Sequence, residues 1–217
     1  MTSFPNSPRL IKGGLVLVNP ETLTVERIIS LQYNPESLSR TLQAQTTGGE
    51  TGDRSEPLRL KGPPVETIKV DVTIDATDQL EVADSKTVKD GIQPVLASLE
   101  TIIYPTVSQL IANKSLAQAG TLEILSMETA LTLFVWSKNR ITPVRLTEFS
   151  VTEEAFDVNL NPIRAKVSLG MRVMSIDDLG FNHKGGNLYM SYQQNKERLA
   201  KIFSGGFLSN HGITNAL

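Results

Sequence analysis

The sequence predicts an α+β protein, mainly β, in which antiparallel strands form a barrel or sandwich with a helix packed across it. Three observations lead there. Residues 66–75 alternate, with Ile68, Val70, Val72 and Ile74 on one side and Lys69, Asp71, Thr73 and Asp75 on the other, the period of a strand with one buried and one wet face. Residues 163–174 repeat the pattern: Ile163, Ala165, Val167, Leu169, Met171 and Val173 alternate with Arg164, Lys166, Ser168, Gly170, Arg172 and Met174. Between them, Val88, Ile92, Val95, Leu96, Leu99, Ile102 and Ile103 recur at helical spacing. Strands on both sides of a central helix place that helix across the sheet.

In chain order, residues 1–9 are polar and proline-marked and read as an arm. The domain then runs over 10–180. Residues 15–18 and 23–29 are apolar segments separated by the turn chemistry of Asn19-Pro20-Glu21, giving two short strands. Tyr33-Asn34-Pro35-Glu36 is a corner, because the residue before proline is pushed out of helical geometry, and 37–43 is a polar-rich strand, exposed or at an interface. Residues 44–64, rich in Thr, Gly, Glu, Arg and Pro, form a long loop suited to partner contact. Its glycines lack the Lys-Ser or Lys-Thr of a phosphate cradle. Asp84-Ser85 caps the helical segment 85–116, which Gly91 and Pro94 weaken and Pro105 interrupts. After Gly120 the period returns to two. Leu122 and Ile124; Leu131, Leu133 and Val135; Val144 and Leu146; and Val158 and Leu160 mark successive strands, with Asn161-Pro162 as the last turn. Residues 181–217 are a C-terminal helix, over 187–203, and a Gly- and Asn-marked tail.

Composition narrows the function. With 217 residues, 40% hydrophobic and 20% charged, the chain has material for a sizeable core. Lys plus Arg number 21 against 23 Asp plus Glu, too balanced for non-specific nucleic-acid binding by bulk charge, and we expect no specific nucleic-acid partner. The absence of cysteine excludes disulfides, thiolate metal sites and cysteine nucleophiles. No secretory signal is visible, and no apolar run approaches the roughly 18–20 residues of a membrane span.

Catalytic chemistry finds few candidates. His183 and His211 have no partner at metal-binding spacing, and no serine sits in a Gly-x-Ser-x-Gly elbow. Glu153, Glu154 and Asp157 offer carboxylates in what reads as a turn; a glycosidase pair needs no proximity in sequence, and nothing points to one. We expect no catalytic residues, no cofactor and no metal. Trp136, beside Lys138 and Arg140, fits either a stacking platform for a base or sugar or an anchor at a strand end or interface, the latter favoured. Arg164, Lys166 and Arg172 face a channel, a neighbouring subunit or solvent. The interface candidates are Tyr33, Asn34, Pro35, Gly49, Arg54, Arg59, Trp136, Arg140, Arg164 and Lys166.

Taken jointly, several segments resemble one family. Residues 28–39, IISLQYNPESLS, resemble the F-N-P signature that opens the tube-protein domain of contractile injection systems. Thr73-Ile74-Asp75-Ala76-Thr77-Asp78 and the run 144–175, through LTEFSVT and NPIRAKV, follow in the family's order. The match covers roughly residues 10–178 and is similar to the tube-initiator or spike-adaptor proteins of phage-tail-like particles. The resemblance implies a structural role without catalysis: a β-barrel or sandwich with a flanking helix, six copies closing into a hexameric ring that lines a channel. The implied partners are a trimeric spike, inner tube or tube-initiator proteins and other baseplate components, with assembly in the cytoplasm into a particle that is released or membrane-anchored. Many such adaptors continue into a LysM module, for which residues 187–217 leave no room. The same-class alternative is the main inner tube subunit; the alternative from another class is a monomeric carbohydrate- or ligand-binding β domain, with Trp136 as platform and the Glu153–Asp157 turn as cation site.

Overall fold

A computed structural model of the chain describes residues 11–46, 59–118 and 129–203. Seven strands form one antiparallel sheet: β1 (Gly14–Val18), β2 (Val25–Ser30), β3 (Leu38–Gln43), β4 (Val65–Asp75), β5 (Leu131–Ser137), β6 (Arg140–Phe156) and β7 (Pro162–Val173). Their order is β2-β1-β5-β6-β7-β4-β3. The helices among the described residues are α1 (Thr77–Glu81), α2 (Ser85–Asp90), α3 (Gln93–Glu100), α4 (Val107–Gln118), α5 (Ile176–Leu179) and α6 (Lys184–Ile202).

The two strands with the strongest alternation form the centre of the core. Ile68, Val70, Val72 and Ile74 of β4 pack with Ala165, Val167, Leu169 and Met171 of β7, all at most 5% exposed. Leu96 and Leu99 of α3 close over them, as do Leu15 and Leu17 of β1 and Ile29 of β2. One cluster therefore joins residues from both ends of the sheet, which must curl around it. Gln32, just after β2, ties the curl: its Nε2 donates to the Asp75 carbonyl at 2.6 Å and its Oε1 accepts the Asp75 N–H at 2.9 Å. Among the described residues no ladder joins β2 to β3, so the expected barrel is not closed by backbone hydrogen bonds within one chain.

Three element readings are corrected. Val144 and Leu146 do not end a short strand: β6 continues unbroken to Phe156, so Glu153 and Glu154 lie in a strand and not in a turn. Val158 and Leu160 are turn residues, 98% and 77% exposed, with Leu160 at a φ of 64°. Asp157 holds that turn, its Oδ1 accepting the N–H groups of Asn159 and Asn161. The segment 85–116 is three helices. α2 opens on Asp84, whose carboxylate accepts the Thr87 N–H, and it stops at Gly91, φ 58°, where an added Cβ would lie 2.3 Å from the Pro162 carbonyl. Pro94 then sits in the first turn of α3, where its missing N–H costs nothing. The strand expected around Leu122 and Ile124, the arm 1–9 and the tail beyond 203 lie outside the described residues.

The C-terminal helix forms, but its buried face is not the aliphatic one. Tyr189 and Tyr192 enter the core, whereas Leu199, Ile202 and Phe203 are 41%, 67% and 80% exposed. Tyr192 donates its hydroxyl to Glu66 Oε1 at 2.9 Å, and Lys196 Nζ meets Glu66 Oε2 at 2.9 Å while lying over the Tyr192 ring.

Candidate functional site

β3, β4, β7 and β6 turn a polar face away from the core. The same alternation that buries Val70 and Leu169 sends Lys69, Asp71, Thr73, Asp75, Arg164, Lys166, Ser168 and Arg172 outward. The charges pair across strands. Asp75 and Arg164 stand opposite each other in register and bond at 2.8 Å; Asp71 and Ser168 do the same, the hydroxyl donating at 2.5 Å. Lys166 reaches Glu154 at 2.7 Å, and Arg172 reaches Asp178 in α5 at 2.9 Å.

The Lys69–Glu148 pair spans three strands. Gly170 of β7 lies between them in register, and Glu148 passes over it to place Oε2 2.7 Å from Lys69 Nζ. A Cβ at Gly170 would sit 2.6 Å from Glu148 Cβ. The missing side chain thus opens a trough of about 430 Å³ lined by Ser37, Ser39, Lys69, Asp71, Glu148 and Ser168. A bulge at Thr147, between the pairs Leu146–Met171 and Glu148–Gly170, re-aims Glu148 onto this face.

The electrostatics follow the pairing. The hydrogen bond and charge of Glu148 hold the Lys69 ammonium above its ordinary pKa. Asp75 is held below the usual carboxylate value, first by the Thr77 hydroxyl and N–H and then by Arg164. Lys69, Glu148 and Arg164 are exposed and Asp75 half-buried, so these pairs contribute little to stability; what they produce is a hydrated surface whose charges are compensated on the spot. Among the described residues no three His, Asp or Glu side chains gather as a metal site, and the hydroxyl–carboxylate pair described above on the polar face, Ser168 with Asp71, has no histidine beside it.

The expected interface residues scatter over more than this face. Arg164 and Lys166 belong to it. Asn34 instead anchors the entry to β1, its Oδ1 accepting the Gly13 N–H at 3.0 Å and its Nδ2 donating to the Ile11 carbonyl at 2.9 Å; Tyr33 beside it is exposed and Pro35 half-buried. Trp136 is half-buried and stacked on Phe134, ring centres 5.8 Å apart, with Gly13 against its edge. Arg140 opens β6 opposite Ser137. Arg59 is exposed where the long loop returns, next to the Thr46–Leu60 bridge; Gly49 and Arg54 lie outside the described residues.

The reading of the residues missed Glu66. Its side chain is 3% exposed and holds three partners, Arg40 at 2.8 Å besides Tyr192 and Lys196. Burial alone would raise its pKa, but Lys196, Tyr192 and Arg40 together bring it below the ordinary value. The signal was present, since 66 shares the parity of 68, 70, 72 and 74.

No curated protein matches the sequence. Among the described residues no helix is long and apolar enough to cross a membrane. The family model for the contractile injection system tube protein matches residues 19–179, which spans the sheet from the turn after β1 to the end of α5, and the chain belongs to that family.

Proposed function

We propose that this tube protein forms the ring between the trimeric spike and the first regular rings of the inner tube, six copies joining head to tail with their polar sheet faces toward the channel. One observation carries the reading. β5 pairs with β6 only as far as Val144, so among the described residues β6 is paired on one side alone from Arg145 to Phe156, and β3 is likewise an end strand. Open edges are templates for pairing with another chain. Between these two edges lie four antiparallel strands, β6-β7-β4-β3. An even number leaves the outer two running in opposite directions, so β6 of one copy can meet β3 of the next as an antiparallel pair with every polar face on the same side. Such a heterologous contact closes into a ring when its rotation permits.

The self-compensated charges suit a channel wall, which must stay wet without holding what passes. Sixfold symmetry, the spike-proximal position, cytoplasmic assembly and the absence of catalysis come from the family resemblance. The test is the native mass of the chain by light scattering, alone and with the spike protein, followed by negative-stain imaging. A hexamer in either condition is the expected result. Long tubes from the chain alone would make it the main inner tube subunit, and a monomer in both conditions would favour the ligand-binding alternative.

A further inference from the structure

Among the described residues β3 is an end strand, and of its six side chains only Leu38 and Arg40 are half-buried; Ser39, Thr41, Leu42 and Gln43 are exposed. Leu38 packs against the main cluster. Arg40 stands opposite Ile68 and reaches diagonally to Glu66, its Nε donating to Glu66 Oε1 at 2.8 Å. That carboxylate lies under another element. Tyr192 of α6 donates its hydroxyl to the same oxygen at 2.9 Å, and Lys196, one turn on, donates to Oε2 at 2.9 Å. The ammonium of Lys196 stands 4.0 Å from the centre of the Tyr192 ring, so the two side chains cover Glu66 as a unit and leave it 3% exposed. Asn195, next to Lys196, donates through Nδ2 to the Asn139 carbonyl at 2.9 Å, in the turn that leads into β6. One stretch of α6 therefore grips both the entry to β6 and the carboxylate that anchors β3.

The sign of the linkage follows from what the helix does to water. With α6 docked, Glu66 has lost most of its hydration, and a hydrogen bond from Arg40 to a buried charge is strong. With the helix lifted, the same two groups become an exposed ion pair, which holds little. Arg40 and Lys196 are both cations and repel each other, but each keeps part of its hydration, at 26% and 31% exposed, whereas the carboxylate between them does not. Covering the carboxylate outweighs the repulsion, and docked α6 strengthens the hold on β3.

We propose that Glu66 is a positioning residue for assembly: it couples the docking of α6 to the fixing of the edge strand β3, so that a chain with α6 in place presents a firm edge and a chain with α6 lifted presents a loose one. The coupling is a property of the single chain. Its consequence for assembly rests on the ring reading, in which β3 of one copy meets β6 of the next.

Hydrogen exchange of the full, unassembled chain, read amide by amide by nuclear magnetic resonance, tests the coupling. Tyr192→Phe with Lys196→Met removes both bonds from α6 to Glu66 while keeping the aromatic ring and most of the lysine stem. Exchange in β3 should rise about tenfold, the scale of one hydrogen bond to a charged group, with β7 unchanged. Coupling is reciprocal, so Arg40→Met should raise exchange in the last turns of α6 by a similar factor, and Arg40→Lys, which keeps the charge, should recover part of it. A loosened α6 with β3 unchanged overturns the proposal, because the two elements are then held independently. An equal rise in β3, β7 and α6 overturns it as well, being a loss of global stability. Assembly is read separately, as the chain concentration at which light scattering finds half of the chains in hexamers, with the spike protein added if the parent needs it. An edge strand opens at small cost, and affinity falls with the competent fraction, so Tyr192→Phe with Lys196→Met should raise this midpoint at least about threefold. An unchanged midpoint beside a loosened β3 overturns the role in assembly and leaves the coupling. A parent that never oligomerises overturns the ring reading and the assembly role with it, while the exchange results still decide the coupling.

Discussion

In β7, Val167 is fully buried while Lys166 and Ser168 on either side of it face solvent; in β5 the four residues 131–134 are all buried. The difference lies in what covers each strand. β7 packs its apolar side on the main cluster and leaves the other to water and ion pairs. β5 sends Phe134 into that cluster, while Leu131 and Leu133 join Val18 in a second one, closed by Val16, Leu23, Val135 and Leu188 of α6. A strand covered once writes its period into the sequence; a strand covered twice writes an apolar run. β2 ends the other half of the sheet as an edge strand too, but the half that alternates joins its open edges to a polar face, so we assign assembly to the strands the core needs on one side only.

Charge scanning breaks this comparison most severely. Val167→Asp is expected to cost about 4 kcal/mol or more, because a carboxylate would be buried without a partner, whereas the neighbouring Ser168→Asn should stay within about 1 kcal/mol of the parent. In β5, Leu133→Asp and Phe134→Asp should both be as damaging as Val167→Asp. Urea unfolding followed by circular dichroism measures all four. If Leu133→Asp unfolds with the parent, the second face of β5 is open and the two halves of the sheet are alike after all.

Glu66 sharpens the comparison, being a carboxylate on the apolar side of β4. Removing it by Glu66→Ala strands Arg40 and Lys196, which are 26% and 31% exposed; a fully buried pair broken this way costs about 3–5 kcal/mol, and partial hydration reduces the expectation here to about 2. The pH dependence has a definite sign. The pKa of Glu66 is lower in the folded protein than its ordinary value, so its contribution is complete above the ordinary carboxylate range and disappears as the pH falls through the folded value. The stability gap between parent and Glu66→Gln should therefore be widest near neutrality and shrink in acid. A gap that grew on acidification would mean that Glu66 is not held as the carboxylate.

Legibility followed the same divide. β4 and β7 could be read to within a residue because their two faces differ in chemistry, and β3 could be recognised as an exposed or interface strand from its polar residues. The long β6 could not: its bulges at Thr147 and near Glu154 shift the parity, so the outward and inward residues stop alternating and one strand looks like two. α6 was legible as a helix, but not what holds it. Its apolar pattern marks a helix but not which residues pack: Leu199, Ile202 and Phe203 are exposed, while the helix is held by Tyr189 and Tyr192 and by Lys196, with Tyr192 bonded to Glu66, a contact 126 residues away in sequence that no local pattern records. Gly170 gave no signal either, since a glycine on the wet face of a strand reads as filler until Glu148 is seen lying across it.

That glycine provides the finest test. Val suits a strand better than Gly, by up to about 1 kcal/mol on propensity alone, but at position 170 its Cβ would meet Glu148 Cβ at 2.6 Å, and overpacking of this kind costs about 1–3 kcal/mol. We expect Gly170→Val to lose about 1 kcal/mol net. The clashing atom is a Cβ, so Glu148→Ala should not rescue the variant, whereas Glu148→Gly should, and in that background Gly170→Val should be neutral or stabilising. Lys69→Ala separates the steric term from the ionic one: it removes the exposed Lys69–Glu148 pair while leaving Gly170 untouched, and should not move the urea midpoint. If Lys69→Ala destabilises the protein as much as Gly170→Val, it is the ion pair and not the empty space over Gly170 that the polar face depends on.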